Sequence, residues 1–146
     1  MEITETGLVL NRLYTGEDGD SHLEKVSYPM KPAPHGWVSD PIPVTGMTLR
    51  IWNGHPPTHG YHNTTRRQLV IHLRGRVEVE TSDGAKARLG VGSILVSENV
   101  LPGMGHLSHE LEQPRLQLLI PFKDGFLPSD GVEQIASSGP PSVAPD

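Results

Sequence analysis

The chain has 146 residues, about one domain's worth, with 16 glycines and 14 prolines against a hydrophobic share of 35%. That balance suits short strands joined by many turns rather than long helices. A net charge of −5 argues against nucleic acid as a partner, which asks for a clustered basic face, and the lack of cysteine excludes disulfides and thiolate chemistry.

The N-terminal "MEITETGLVL" is acidic and has no long apolar run, so no signal peptide is expected. No segment approaches the roughly 18 apolar residues of a membrane span, and a soluble cytoplasmic protein is the default expectation. "GLVLNRLY" and "SHLEKVSY" are short strand candidates separated by the turn-rich "TGEDGD". "PMKPAPHGWVSDPIPV", with five prolines from Pro29 to Pro43, is expected as an extended loop lying across the domain. Residues 1–46 thus form N-terminal strands and a proline-rich arm packed on a barrel that spans 47–126.

"MTLRIW" alternates, with Met47, Leu49 and Ile51 on one face and Thr48, Arg50 and Trp52 on the other. "NGHPPTHG" is a loop. "QLVIHLRG" and "RVEVET" are strands meeting at Gly75, where a bend or a close backbone approach is expected. "SDGA" is a hairpin turn, and "KARLGVGSILVSE" supplies two more short strands. "HLSHELE" and "RLQLLIPF" follow the loop "NVLPGMG". The segment 127–146 is expected as a flexible tail, with one short helical turn near Val132–Ile135. About eight short strands at close spacing predict an all-β antiparallel barrel or jelly roll.

If Val70 faces the barrel interior, Gln68 and His72 do too, because strand side chains alternate. His62 enters at the same end, and His106 follows a glycine that lets the chain turn sharply. His62, Gln68 and His106 are therefore expected to converge, with His59, Thr64 and His72 nearby. A lone inward His72 is otherwise a satisfied core histidine. His22, His35, His55 and His109 are expected to face solvent. Arg66 and Arg67 are placed at the rim, where either could meet an anionic substrate. Trp37, Trp52, Tyr61 and Met104 are expected to line or cover a pocket, or simply to pack.

From Met47 to Phe122 the chain resembles the cupin superfamily, whose first motif reads G-x5-H-x-H-x3,4-E-x6-G. His62, Gln68 and Gly75 stand at the first His, the Glu and the closing Gly, while Thr64 replaces the second His. The second motif, G-x5-P-x-G-x2-H-x3-N, is met by Gly103 and His106, with Pro102 one place late and Glu110 in place of Asn. The resemblance implies a single-domain double-stranded β-helix, often a homodimer, with a small organic substrate. It also implies a divalent metal (Fe, Mn, Ni or Zn) on His62, Gln68 and His106, with His59 on the entry loop as the residue that could complete the set, or else no cofactor. A neutral amide in place of a carboxylate weakens such a site.

The expected activity is that of a lyase or isomerase acting next to a carbonyl. His62, His106 and His72 are its catalytic candidates, and Gln68, Tyr61, Trp52, Arg66 and Met104 its substrate-binding ones. A metal-dependent dioxygenase and a non-catalytic small-molecule binder are the alternatives.

Overall fold

A computed structural model describes residues 2–4, 7–54, 58–100, 102–123 and 133–136, and of residues 58, 59 and 133–136 the backbone alone. Every regular element among them is a strand. In chain order these are β1 (Glu2–Ile3), β2 (Leu8–Thr15), β3 (Ser21–Tyr28), β4 (Lys31–Ala33), β5 (Gly36–Val38) and β6 (Thr48–Trp52). They continue as β7 (Thr58–His62), β8 (Gln68–Thr81), β9 (Lys86–Leu89), β10 (Ile94–Glu98), β11 (His106–Pro121) and β12 (Glu133–Ala136). No helix long and apolar enough to cross a membrane occurs among the described residues.

Ten of the strands form one sheet with the order β12-β3-β2-β10-β8-β11-β6, and β1, β7 and β9 pair off it with β2, β11 and β8. The sheet curls into a half-barrel. Pairing is antiparallel except between β2 and β10, which run parallel. The expectation of an all-β fold holds, and so does the apolar alternation behind it. Two expectations on local structure change. The proline-rich segment contains a separate hairpin, β4–β5, whose turn carries His35 at φ 65°. Glu133–Ala136 is a strand on β3, not the helical turn expected at Val132–Ile135. The rest of the tail, 127–132 and 137–146, lies outside the described residues.

The two longest strands give the sheet its curl. "QLVIHLRG" and "RVEVET" are one continuous strand, β8, bent at Gly75, which has φ +81°. A Cβ there would lie 2.6 Å from the Glu112 carbonyl oxygen and 2.8 Å from the Arg115 Cα, so β11 can cross only against glycine. The β8–β11 register shifts between Glu112 and Leu116 at the same level. One physical effect of such a bulge is to change which residue parity faces inward. In β8 the residues lining the interior are Gln68, Val70 and His72 before the bend, and Val77 and Val79 after it. In β11 they are His106 and Ser108 before it, and Arg115, Gln117 and Leu119 after it.

Two apolar clusters hold the layers together. Leu13, Leu23, Val70, Val77, Val79, Leu89 and Leu95 form one against the interior. Leu10, Val26, Tyr28, Leu69, Val96 and Phe122 form the other, on the opposite side of the sheet. Leu69 and Val70 are both buried because the sheet is covered on both faces at that point. Each fully buried leucine contributes about 1.5–3 kcal/mol relative to exposure. By contrast, β6 turns its apolar side outward: Met47, Leu49 and Ile51 are each more than 60% exposed. Its polar side, Thr48, Arg50 and Trp52, lines the interior.

Candidate functional site

A cavity of about 380 Å³ opens inside the curl. Leu13, Val70, Val77, Val79, Leu89 and Leu95 supply its apolar wall, and three histidines line it: His62, His72 and His106. Gln68, Trp52 and Arg66, also expected from the sequence, line it as well. Tyr61 and Met104 do not appear in that lining and are 53% and 61% exposed. Trp37 is exposed on the separate β4–β5 hairpin. His59 belongs to β7, but its side chain lies outside the described residues, as does all of His55.

His62 and His106 are register partners across β7 and β11, with ring centroids 4.3 Å apart. Gly105 makes this approach possible. It has φ +83°, and a Cβ on it would sit 2.7 Å from the His62 carbonyl oxygen. The two rings then differ in which nitrogen is engaged. His62 Nδ1 lies 2.8 Å from the Gly60 carbonyl oxygen, which can only accept, so Nδ1 carries the proton and Nε2 keeps its lone pair.

The opposite holds at His106, which is buried. Thr64 Oγ1 donates to Asn99 Oδ1 at 2.6 Å, turning the Asn99 amide nitrogen toward His106 Nδ1, also 2.6 Å away. An amide nitrogen only donates, so Nδ1 accepts and the proton of a neutral ring sits on Nε2. Ser97 closes the network, contacting Thr64 Oγ1 at 2.6 Å and Asn99 Oδ1 at 3.3 Å. Burial, and then the charge of a protonated His62, push the His106 pKa down to about 3, so the ring stays neutral near pH 7. Thr64 stands where the cupin motif has its second His. Here it orients Asn99 instead.

His72 is different again. It is fully buried, and its Nε2 accepts from Arg115 Nη1 and Gln117 Nε2, both at 3.2 Å. Its Nδ1 is 3.3 Å from Ser93 Oγ. Burial, and secondarily the Arg115 charge, lower its pKa to about 4. Both nitrogens of His72 therefore have partners inside the protein. Arg115 in turn makes a two-pronged bond to Glu110, at 2.8 and 2.5 Å, with both side chains only 3% exposed. Gln117 Oε1 accepts from Trp52 Nε1 at 2.9 Å.

A metal centre needs three or more converging donors. Among the described residues no group of three His, Cys, Asp or Glu side chains meets that condition. The cavity lining holds three imidazoles, of which His72 is already engaged by Arg115 and Gln117, and the amides of Asn63, Gln68 and Gln117, with no carboxylate among the described residues. The described donors thus do not fit a firmly held divalent ion.

Sequence reasoning missed Arg50, Asn63, Asn99, Arg115 and Gln117. Arg50 was within reach: it shares strand parity with Trp52, a pocket candidate, and so shares its face. Arg67, expected at the rim beside Arg66, pairs with Glu98 at 3.4 Å. Nor does His22 simply face solvent. It bridges Asp83 at 2.7 Å and Asp18 at 2.9 Å, while His109 pairs with Glu80 at 3.1 Å. Compared with known proteins, the chain matches no family model and none of the curated sequences significantly.

Proposed function

We propose that the chain is a small-molecule lyase or isomerase of the cupin type, a double-stranded β-helix barrel that moves a proton on a carbon next to a carbonyl. The observation that carries the reading is the pair of opposite tautomers on His62 and His106. His62 Nε2 offers a lone pair and acts as the general base, and its ring lines the cavity at the exposed edge. His106 Nε2–H donates to the carbonyl oxygen as that oxygen gains negative charge. A neutral imidazole suits this task, because it donates a hydrogen bond without having to surrender its proton.

The steps balance. His62 takes the proton from the carbon, and the electron pair moves into an enolate whose oxygen His106 holds. In an isomerase the substrate carries a β,γ double bond, the pair spreads over a dienolate, and His62 returns the proton to the γ-carbon. In a lyase the pair expels a β-substituent, which leaves with the proton. The β6 outward stripe of Met47, Leu49 and Ile51 supports the homodimer reading, as an apolar surface open to a second copy among the described residues.

A dioxygenase has less support, since redox iron is usually held with an anionic ligand and the lining contains none.

The test has two arms. Nitrogen-15 NMR of the histidines is expected to show Nδ1–H on His62 and Nε2–H on His106. Asn99→Asp removes the amide donor and is expected to move the His106 proton to Nδ1. The same tautomer on both rings in the wild type would sink the proposal. In the second arm, exchange of α-protons with deuterated water is followed by proton NMR over a panel of small carbonyl compounds. His62→Ala is expected to slow exchange about 10²–10⁴-fold, and His106→Ala about 10²–10³-fold. Unchanged exchange in both variants rules out catalysis by this pair.

A further inference from the structure

The cavity carries a charge pattern that the chain as a whole does not. Across 146 residues the net charge is −5. Yet the lining contains Arg50, Arg66 and Arg115, together with its three histidines, and among the described residues no Asp or Glu. The three arginines are not equivalent. Arg115 is neutralised by Glu110 inside the protein. Arg66 and Arg50 have no carboxylate partner among the described residues. Arg66 is exposed.

Arg50 is exposed but held. Its guanidinium lies 3.8 Å from the centre of the Trp52 ring, and that ring is itself fixed by the bond from Trp52 Nε1 to Gln117 Oε1. Arg115 approaches the same ring, with its guanidinium carbon 5.0 Å from the centre. Gln117 is the register partner of both Arg50 on β6 and His72 on β8, so one row of three strands sets its place. Stacking uses the flat face of a guanidinium and leaves its N–H edge available. A planar fork of donors held by stacking, with no carboxylate partner among the described residues, matches a carboxylate in two parallel hydrogen bonds. Phosphate sites typically add backbone N–H groups from a glycine-rich loop or helix N-terminus. Among the described residues no glycine and no helix contributes to this lining.

We infer that the ligand of this cavity is a small organic carboxylate, its anionic group held by the N–H edge of Arg50 and the rest of it lying against the apolar wall. The inference rests on the proposed function, since it names the substrate class of the same site. Arg50 then acts as the specificity residue, and Arg66 at the rim draws anions inward without fixing their orientation. The histidines stay free to act on the carbon next to the carbonyl.

Binding measured by NMR titration tests this, with 3-phenylpropionate, its neutral amide and inorganic phosphate as probes. The carboxylate is expected to bind at least about tenfold more tightly than the amide, the scale of one charge-assisted contact. Arg50→Gln is expected to bring the carboxylate down to the amide's affinity while leaving the amide unchanged. Arg50→Lys, which keeps the charge and loses the fork, is expected to fall between. Equal binding of acid and amide overturns the inference, as does no binding of either probe. Preference for phosphate, or full carboxylate affinity in Arg50→Gln, overturns it too. Histidine nitrogen signals recorded on Arg50→Gln keep the two proposals apart. If they retain the wild-type tautomers while carboxylate preference is absent, the ligand class is wrong and the histidine pair stands.

Discussion

His106 and His72 are both buried imidazoles with strongly lowered pKa values, about 3 and about 4, and they line the same cavity. They differ in what remains on Nε2. At His72 that nitrogen accepts from Arg115 and Gln117, and Arg115 is itself locked by Glu110. At His106 the contact among the described residues is on Nδ1, from Asn99. Burial and a perturbed pKa are thus common to a histidine engaged on both nitrogens and to the one proposed to act on a ligand. An uncommitted polar atom facing a cavity separates them.

The largest test of this contrast is at the structural end. Glu110→Gln leaves the Arg115 charge buried without its partner, and a loss of about 3–5 kcal/mol is expected in denaturant unfolding. If the loss is below about 1 kcal/mol, the Arg115–Glu110 pair is not what holds His72.

Acid should destabilise through both histidines together. Each has a folded pKa below the usual 6.5, so between pH 6.5 and about 3–4 the unfolded chain binds more protons than the folded one. Their contribution is fully present above pH 6.5 and is lost as pH falls toward the folded values. The slope is at most about 1.4 kcal/mol per pH unit for each imidazole. Unfolding free energies measured from pH 7 to pH 4 check it, and His72→Gln should remove one share of the slope. A flat profile would contradict burial of the two rings.

Gly105→Ala sharpens the functional end. A methyl group at φ +83° and 2.7 Å from the His62 carbonyl forces β7 away from β11. A loss of roughly 1–3 kcal/mol is expected from the backbone alone, with the His62 and His106 ring signals moving while His72 stays. Movement of His72 instead would mean that the two ends are coupled.

His22 gives the smallest effect and the opposite sign. Burial lowers its pKa, but the hydrogen bonds to Asp18 and Asp83 outweigh that and raise it. Its contribution is complete below pH 6.5 and is lost as pH rises through the raised folded value. His22→Gln should therefore abolish a slight weakening on the alkaline side and leave the acid slope intact, as read by melting temperature from pH 6 to pH 9.

Much of the fold was legible from local patterning. Alternation in "RVEVET" marked Val77 and Val79 as inward, and Gly75 marked the bend, because strand periodicity and glycine's backbone freedom are local properties. The inward set of Gln68, Val70 and His72 followed from the same rule, and the glycine before His106 marked its turn. The union of the two "VIHL" and "VEVE" segments into one strand was not visible, since a bulge reads like a strand end. The face chosen by β6 was not visible either. Its apolar side looks like core in isolation, but the cavity takes its polar side, including Arg50.

By itself, then, the sequence determined that this chain makes strands and where they bend, and it pointed to His62 and His106 as converging. Only the tertiary structure decided what those histidines can do. Proton position on an imidazole depends on which donor or acceptor lies within about 3 Å. For His62 that partner is near in sequence, the Gly60 carbonyl. For His106 it is Asn99 held by Thr64, and for His72 it is Arg115 and Gln117, residues 43 and 45 positions away. Such contacts arise from the curl of the sheet, and no local periodicity encodes them.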